Sequence, residues 1–177
     1  MDTVNRLKMK ISLLIIAILL YGCSKEIDTI QLIRKGKHSI EGIALSRSDG
    51  HLEYSFTFRE HHKYLQEEYS DHLNKMPGLS TNRIHNNSVR IGWKQVNDNF
   101  HLYAYIYKDG NRHETKMYEA EVDELLFINI DTRKNIEISI NEAVYLTDGK
   151  ECKNITNFYF GGEPTAPKDL IFNIEIQ

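Results

Sequence analysis

Several residue types are scarce in this 177-residue chain, which has three prolines, two cysteines and one tryptophan. The low proline count, together with ten tyrosines and seven phenylalanines, argues against a disordered chain. No block of lysine and arginine occurs, and the formal net charge is −3. Because nucleic-acid binding requires a clustered positive field, no nucleic-acid partner is expected.

The apolar run near the N-terminus is too short for a stable transmembrane helix. Ile11–Leu20 has ten residues, which span about 15 Å as a helix, whereas a hydrocarbon core is about 30 Å thick. Three basic residues precede the run: Arg6, Lys8 and Lys10. A positive segment followed by a short apolar one is typical of a signal peptide.

The apolar run leads into Leu20-Tyr21-Gly22-Cys23, which resembles the bacterial lipobox. The resemblance implies that Cys23 accepts a diacylglycerol and becomes the mature N-terminus. Two or three acyl chains would hold the protein on a membrane without a spanning helix, whereas one chain binds only reversibly. The alternative is an ordinary secretory peptide followed by a coincidental cysteine.

These features predict three segments. Residues 1–22 are a lipoprotein signal peptide, residues 23–35 a lipidated tether with the first strand, and residues 36–177 a single β-sandwich domain. Loss of residues 1–22 would leave about 155 residues with a net charge of about −5, which is one domain by size. We expect lipid anchoring in the bacterial cell envelope, at the outer membrane. Whether the protein faces the periplasm or the cell surface is left open by the sequence. With Cys23 lipidated, Cys152 has no intramolecular partner and is expected to be an ordinary thiol.

The rest of the chain is rich in strand signals. Apolar and polar residues alternate with a period of two, which is typical of half-buried strands. Asp109-Gly110 between two such runs is a hairpin signal. We predict an all-β fold, an antiparallel two-sheet sandwich that is jelly-roll-like. The alternating runs lie at 52–58, 89–93, 102–106, 126–130, 136–140 and 170–176.

One segment departs from the alternation. Residues 60–74 contain Tyr64, Leu65, Tyr69 and Leu73 at helical spacing and no β-branched residue. We predict a short helix or helical loop there, ended by Pro77-Gly78.

A row of aromatic residues is the first candidate site. Alternation puts His101, Tyr103, Tyr105 and Tyr107 on one face of a strand. Tyrosine rings on a sheet can stack on sugar rings while their hydroxyls form hydrogen bonds. The alternative is that this face packs against the core, since tyrosine is a strong strand former.

A basic residue near this row is the second candidate. Arg90 is positioned to bind a carboxylate or sulfate with its two-pronged guanidinium, if its strand neighbours the tyrosine strand. The alternative is a structural role, in which Arg90 pairs with a buried acid and orders the preceding loop. His85 and Asn87 lie close by in sequence and are the polar residues expected to form hydrogen bonds to a ligand.

Catalytic and metal-binding patterns are absent from the sequence. No His-Glu-x-x-His, Gly-x-Ser-x-Gly or phosphate-binding loop occurs, so no metal and no cofactor are expected. His61 and His62 are adjacent and would point apart on a helix. Glu119 and Glu121 share a face of a predicted strand, but a glycoside hydrolase also needs one acid with a raised pKa.

Two sequence blocks resemble small uncharacterised lipoproteins of Bacteroidetes. The first is a loop followed by His-x-Asn-Ser-x-Arg-x-Gly-Trp, residues 85–93, and the second is Tyr-Phe-Gly-Gly-x-x-x-Ala-Pro, residues 159–167. Leu79, Thr81 and Lys168 depart from the phenylalanine, aspartate and histidine usual in that family. The resemblance covers most of residues 36–177 and implies no established activity.

The sequence therefore favours a lipid-anchored envelope protein that binds glycan or another polar ligand and is not an enzyme. The expected contacts are stacking by Tyr103 and Tyr105, orientation by Arg90, and hydrogen bonds from His85 and Asn87. The alternatives are a structural or accessory protein that acts through protein contacts, and a glycan-active hydrolase.

Overall fold

The computed structural model describes residues 27–40, 47–64, 72–161 and 165–176. The lipobox, with Cys23, lies outside the described residues. Residues 65–71 of the segment predicted to be helical also lie outside them. The described part contains eleven strands. They are β1 (Ile27–Ile33), β2 (His51–Thr57), β3 (Asn74–Ser80), β4 (Ser88–Val96), β5 (Asn99–Lys108), β6 (Asn111–Ala120), β7 (Leu125–Asp131), β8 (Ile136–Ile140), β9 (Ala143–Thr147), β10 (Asn154–Thr156) and β11 (Leu170–Ile176).

The strands form two antiparallel sheets that pack face to face. One sheet has six strands in the order β1-β11-β2-β7-β8-β9, and the other has five in the order β10-β3-β4-β5-β6. The predicted all-β sandwich is therefore confirmed, and the chain crosses between the sheets as in a jelly roll. The Asp109-Gly110 hairpin is confirmed as well: Lys108 pairs with Asn111, and both turn residues have positive φ.

The inner faces of the sheets enclose an aromatic core. Trp93 and Phe100 come from the five-stranded sheet and Phe172 from the six-stranded sheet, and all three are at most 1% exposed. Phe58 stacks on Phe100 with ring centroids 4.0 Å apart, and Phe158 stacks on Phe172 at 4.1 Å. Offset stacking adds to the free energy gained by burying such large apolar surfaces.

The prediction that Pro77-Gly78 ends a helix is wrong, because both residues lie within β3. The pairing of β3 with β4 shifts register between Lys75 and Gly78, which marks a β-bulge. A bulge tolerates proline, since one residue there needs no ladder hydrogen bond. The carbonyl of Pro77 accepts a hydrogen bond from the buried Tyr54 hydroxyl at 3.0 Å.

The described ends of the 60–74 segment show one short helical turn. Glu60–His62 forms a 3-10 turn, Tyr64 is buried, and β3 begins at Asn74. No helix among the described residues is long and apolar enough to cross a membrane.

Candidate functional site

The aromatic row lies on the side of the five-stranded sheet that faces away from the core, here called the outer face. Phe100, Leu102, Ala104 and Ile106 of β5 point into the core and are at most 2% exposed. Because side chains alternate along a strand, His101, Tyr103, Tyr105 and Tyr107 point the opposite way. None of these three tyrosines belongs to the core cluster between the sheets.

Accessibility differs along the row. Tyr103 and Tyr107 are half-buried, whereas Tyr105 between them is only 6% exposed. The Tyr105 hydroxyl donates to Tyr107 and accepts from Arg112. Burial and the bond to Tyr107 raise the pKa of Tyr105 to about 12. Tyr105 is therefore a neutral, fixed residue, and Tyr103 and Tyr107 are the half-buried tyrosines of the row. Lys94 Nζ lies over the Tyr103 ring, 5.9 Å from its centroid.

A lysine from β3 lies over the tyrosines. Lys75 Nζ is 5.1 Å from the centroid of the Tyr105 ring and 5.7 Å from that of Tyr159. Burial, followed by repulsion from Arg90, lowers the pKa of Lys75 to about 8. The ring faces partly compensate this desolvated ammonium group by cation–π attraction.

Arg90 is buried beneath this surface. It is 6% exposed, and its Nη2 donates to the Asn157 carbonyl at 2.6 Å. Gly78 allows this position, since a Cβ there would lie 2.9 Å from Arg90 Cγ. The sequence raised both a ligand-binding and a structural role for Arg90. The observed bond holds the segment after β10, although its partner is a carbonyl and not the buried acid considered from sequence.

His85 and Asn87 lie at the hairpin end of the outer face. Asn87 is 4% exposed, and its Oδ1 accepts from the backbone N–H of Asp109 at 3.2 Å. His85 is exposed, and its ring meets the edge of Tyr107 with centroids 5.3 Å apart. Asn87 thus braces the β5–β6 hairpin, while His85 extends the accessible aromatic surface.

Leu73 lies between Lys75 and Tyr103. In the strand register Lys75 is opposite Gly92, and Gly92 is opposite Tyr103. Glycine has no side chain, and the buried Leu73 side chain packs over it, with a cation on one side and an aromatic ring on the other. A Cβ at position 92 would lie 3.0 Å from Leu73 Cδ1 and 3.3 Å from Tyr105 Cβ. No sequence pattern revealed this arrangement, because the residues that oppose Gly92 depend on strand register.

The outer face carries an excess of positive charge. Among the described residues, neighbouring strands place five cations against two acids around the tyrosines, although the chain as a whole has a formal charge of −3. The cations are Lys75, Arg90, Lys94, Arg112 and Lys116, and the acids are Glu114 and Glu119. Such a concentration of one sign favours an anionic partner.

The two acids considered for hydrolysis do not form a catalytic pair. Glu119 accepts from Asn99 at 2.9 Å and from Lys116 at 3.0 Å, and these bonds lower its pKa to about 2. A general acid needs a pKa shifted in the opposite direction. Glu121 follows the end of β6, so the predicted shared strand face is wrong.

The remaining titratable candidates have structural partners. His62 is 1% exposed, with Nδ1 accepting from the Arg59 N–H and Nε2 directed at the Ile171 carbonyl, both at 2.8 Å. Cys152 is 1% exposed, and burial raises its pKa to about 11, which removes thiolate reactivity. Within the described ranges, no group of three or more His, Cys, Asp and Glu side chains is placed to hold a metal ion.

Comparison with known proteins adds a structural similarity. No protein-family model and no curated protein matches the chain. Among solved structures, the chain is similar to an alginate lyase from Pseudomonas aeruginosa, with a TM-score of 0.46 and 9% identity. The similarity covers 72% of this chain but only 63% of the lyase, and at this level it carries no functional argument.

Proposed function

We propose that this protein is a lipid-anchored, non-enzymatic envelope protein that binds glycan on the outer face of its five-stranded sheet. The observation that carries the proposal is the direction of the β5 tyrosines. They point away from the intersheet core, and Tyr103 and Tyr107 keep part of their ring surface accessible.

The geometry suits an extended ligand. Tyr103 and Tyr107 are four residues apart on one strand, which places them about 13 Å apart along its axis. A ring face can pack on the C–H groups of one sugar while the neighbouring hydroxyl forms a hydrogen bond. Two accessible rings in line would therefore contact a polysaccharide chain at successive points.

The other sequence-predicted residues are assigned different tasks. Tyr105, Arg90 and Asn87 are buried and act as positioning residues, since they fix the surface without reaching a ligand. His85 is exposed beside Tyr107 and extends the stacking surface. The ligand contacts are thus assigned to Tyr103, Tyr107 and His85.

Retention of polysaccharide by the full-length chain in detergent tests this function. In affinity electrophoresis through gels that contain neutral or acidic polysaccharides, wild type is expected to be retarded by at least one polymer. Tyr103→Ala should lose that retardation, and Phe127→Ala should keep it. Phe127 is a matched control because it is 55% exposed on the six-stranded sheet. Free migration of wild type in every gel would overturn the proposal.

A second candidate function rests on a different surface. The side of the six-stranded sheet that faces solvent carries large apolar residues that are 47–73% exposed, namely Ile30, Leu125, Phe127, Val144, Leu146 and Ile171. Exposed apolar residues on one face favour protein contacts. Cross-linking on intact cells, with Phe127→Ala and Leu146→Ser as test variants, would show a specific partner if this surface docks a protein.

A further inference from the structure

The outer face contains two adjacent cations, Lys75 and Arg90. Among the described residues, no carboxylate forms an ion pair with Lys75 or Arg90, although Glu114 is near enough to attract Lys75. Removing a cation from water is costly unless an opposite charge or hydrogen bonds compensate it. An anion bound beside Lys75 and Arg90 would supply this compensation.

Arg90 contributes charge from below the surface. One guanidinium nitrogen donates to the Asn157 carbonyl, while its buried Nε has no hydrogen-bond partner within the described ranges. Lys75, by contrast, is half-buried and reaches the surface between the Tyr105 and Tyr159 rings. An incoming anion would meet the Lys75 ammonium first, with the positive charge of Arg90 behind it.

The surroundings of Lys75 select a particular kind of anion. Lys75 stands across Gly92 from Tyr103, so a cation and a half-buried tyrosine lie on the two sides of Leu73, which packs over Gly92. A sugar that carries its own acid group satisfies both sides at once: the ring stacks on tyrosine and the acid group contacts the ammonium. A neutral sugar would leave the cations uncompensated.

We propose that the ligand is an acidic polysaccharide, bearing uronate or sulfate groups. The Lys75 ammonium group binds an acid group of this ligand, while Tyr103 stacks on the same or an adjacent sugar ring. This inference rests on the proposed glycan-binding function and names its ligand class.

The charge on Lys75 also makes binding depend on pH. The groups that face it are Arg90 from β4, Tyr105 from β5, Arg112 and Glu114 from β6, and Tyr159 after β10. Since its pKa is lowered to about 8, Lys75 is mostly charged at pH 7 and mostly neutral at pH 9. Arginine at position 75 would stay charged throughout.

Titration calorimetry on the full-length chain in detergent tests the inference. The probes are polygalacturonate, chondroitin sulfate, the neutral glucan laminarin, and poly-L-glutamate, a polyanion without sugar rings. We expect wild type to bind an acidic polysaccharide and to bind it several-fold more weakly at pH 9 than at pH 7. Lys75→Met should weaken binding at pH 7 about tenfold or more, the scale of a lost charge-assisted contact. Lys75→Arg should keep the affinity and lose the pH dependence.

Matched controls separate the possible outcomes. Lys134→Met removes an exposed cation from the β7–β8 turn of the other sheet and should change nothing. Equal binding of laminarin and the acidic polymers would overturn the charge inference while the glycan-binding function stands. Equal binding of poly-L-glutamate would overturn the inference by reducing it to unspecific attraction. Binding of none of the polysaccharides would overturn the function itself.

Discussion

Gly78 lies opposite Arg90 in the pairing of β3 with β4, and a Cβ at position 78 would lie 2.8 Å from Arg90 Cα and 2.9 Å from its Cγ. The Arg90 side chain thus occupies space that only glycine leaves open. This packing sets the depth of Arg90 and, through its bond to Asn157, the position of the segment that carries Tyr159.

Gly78→Ala should therefore destabilise the fold. The added methyl group meets backbone as well as side-chain atoms, and overpacking of this kind costs about 1–3 kcal/mol. Urea unfolding followed by tryptophan fluorescence measures the change. Ser139→Ala, on the solvent side of β8, is the control and should stay within about 0.5 kcal/mol of wild type. Equal stability of Gly78→Ala and wild type would show that Arg90 has another low-energy position.

His62 should make the free energy of unfolding depend on pH. Burial lowers the pKa of His62 in the folded state to about 4, whereas an unfolded histidine has a pKa near its ordinary value of 6.5. The unfolded state then binds more protons between these values, so the stabilisation is complete above pH 6.5 and is lost as pH falls towards 4. A shift of this size corresponds to about 3 kcal/mol.

Unfolding free energies measured between pH 7 and pH 4 test this prediction. His62→Gln should flatten the slope, because the amide does not titrate. His113→Gln should leave the slope unchanged, since His113 is exposed on β6 of the five-stranded sheet. The carboxylates of Glu119 and Asp131 have pKa values lowered to about 2, so their protonation causes a further loss of stability at lower pH. An identical slope in His62→Gln and wild type would contradict the role given to His62.

Cys152 should be unreactive in the folded protein. Its thiol is 1% exposed and its pKa is raised to about 11, so little thiolate forms at pH 8. In a Cys23→Ala chain, where Cys152 is the sole cysteine, a disulfide reagent should react slowly before and rapidly after addition of guanidinium. Fast reaction under native conditions would mean that the Thr132–Cys152 region opens easily.

Cys23 should carry lipid in a bacterial host. The lipobox resemblance predicts that radioactive palmitate labels the protein and that Cys23→Ala abolishes the label. Cys152→Ala is the matched control and should remain labelled. Secretion of an unlabelled wild-type protein would instead support the ordinary secretory peptide.

The fold was predictable where hydrophobic alternation is regular. In β5, for example, Leu102, Ala104 and Ile106 mark a buried face. β6 was predicted only through the Asp109-Gly110 hairpin and the strand assigned around Glu119, and its bounds escaped prediction because residues Asn111–Lys116 are exposed on both faces and show no period of two. β3 was missed because Pro77-Gly78 normally interrupts regular structure, and a bulge that tolerates it depends on the partner strand.

The candidate site was predictable in part. Alternation places the tyrosines on one face, but which face covers the core depends on how the sheets pack. The burial of Arg90 was also out of reach, since its partner Asn157 lies 67 residues away in sequence. Lys75 had no sequence signal of its own, because its importance comes from the register that sets it across Gly92 from Tyr103.

Hydroxyl-radical footprinting of the full-length chain, with and without a bound acidic polysaccharide, tests the central claim most directly. It reads the solvent exposure of individual aromatic side chains. Ligand should protect Tyr103 and Tyr107 on the outer face, while Phe127 on the six-stranded sheet keeps its oxidation rate. Protection of Phe127 with Tyr103 and Tyr107 unchanged would contradict the account and place the ligand on the opposite side of the sandwich.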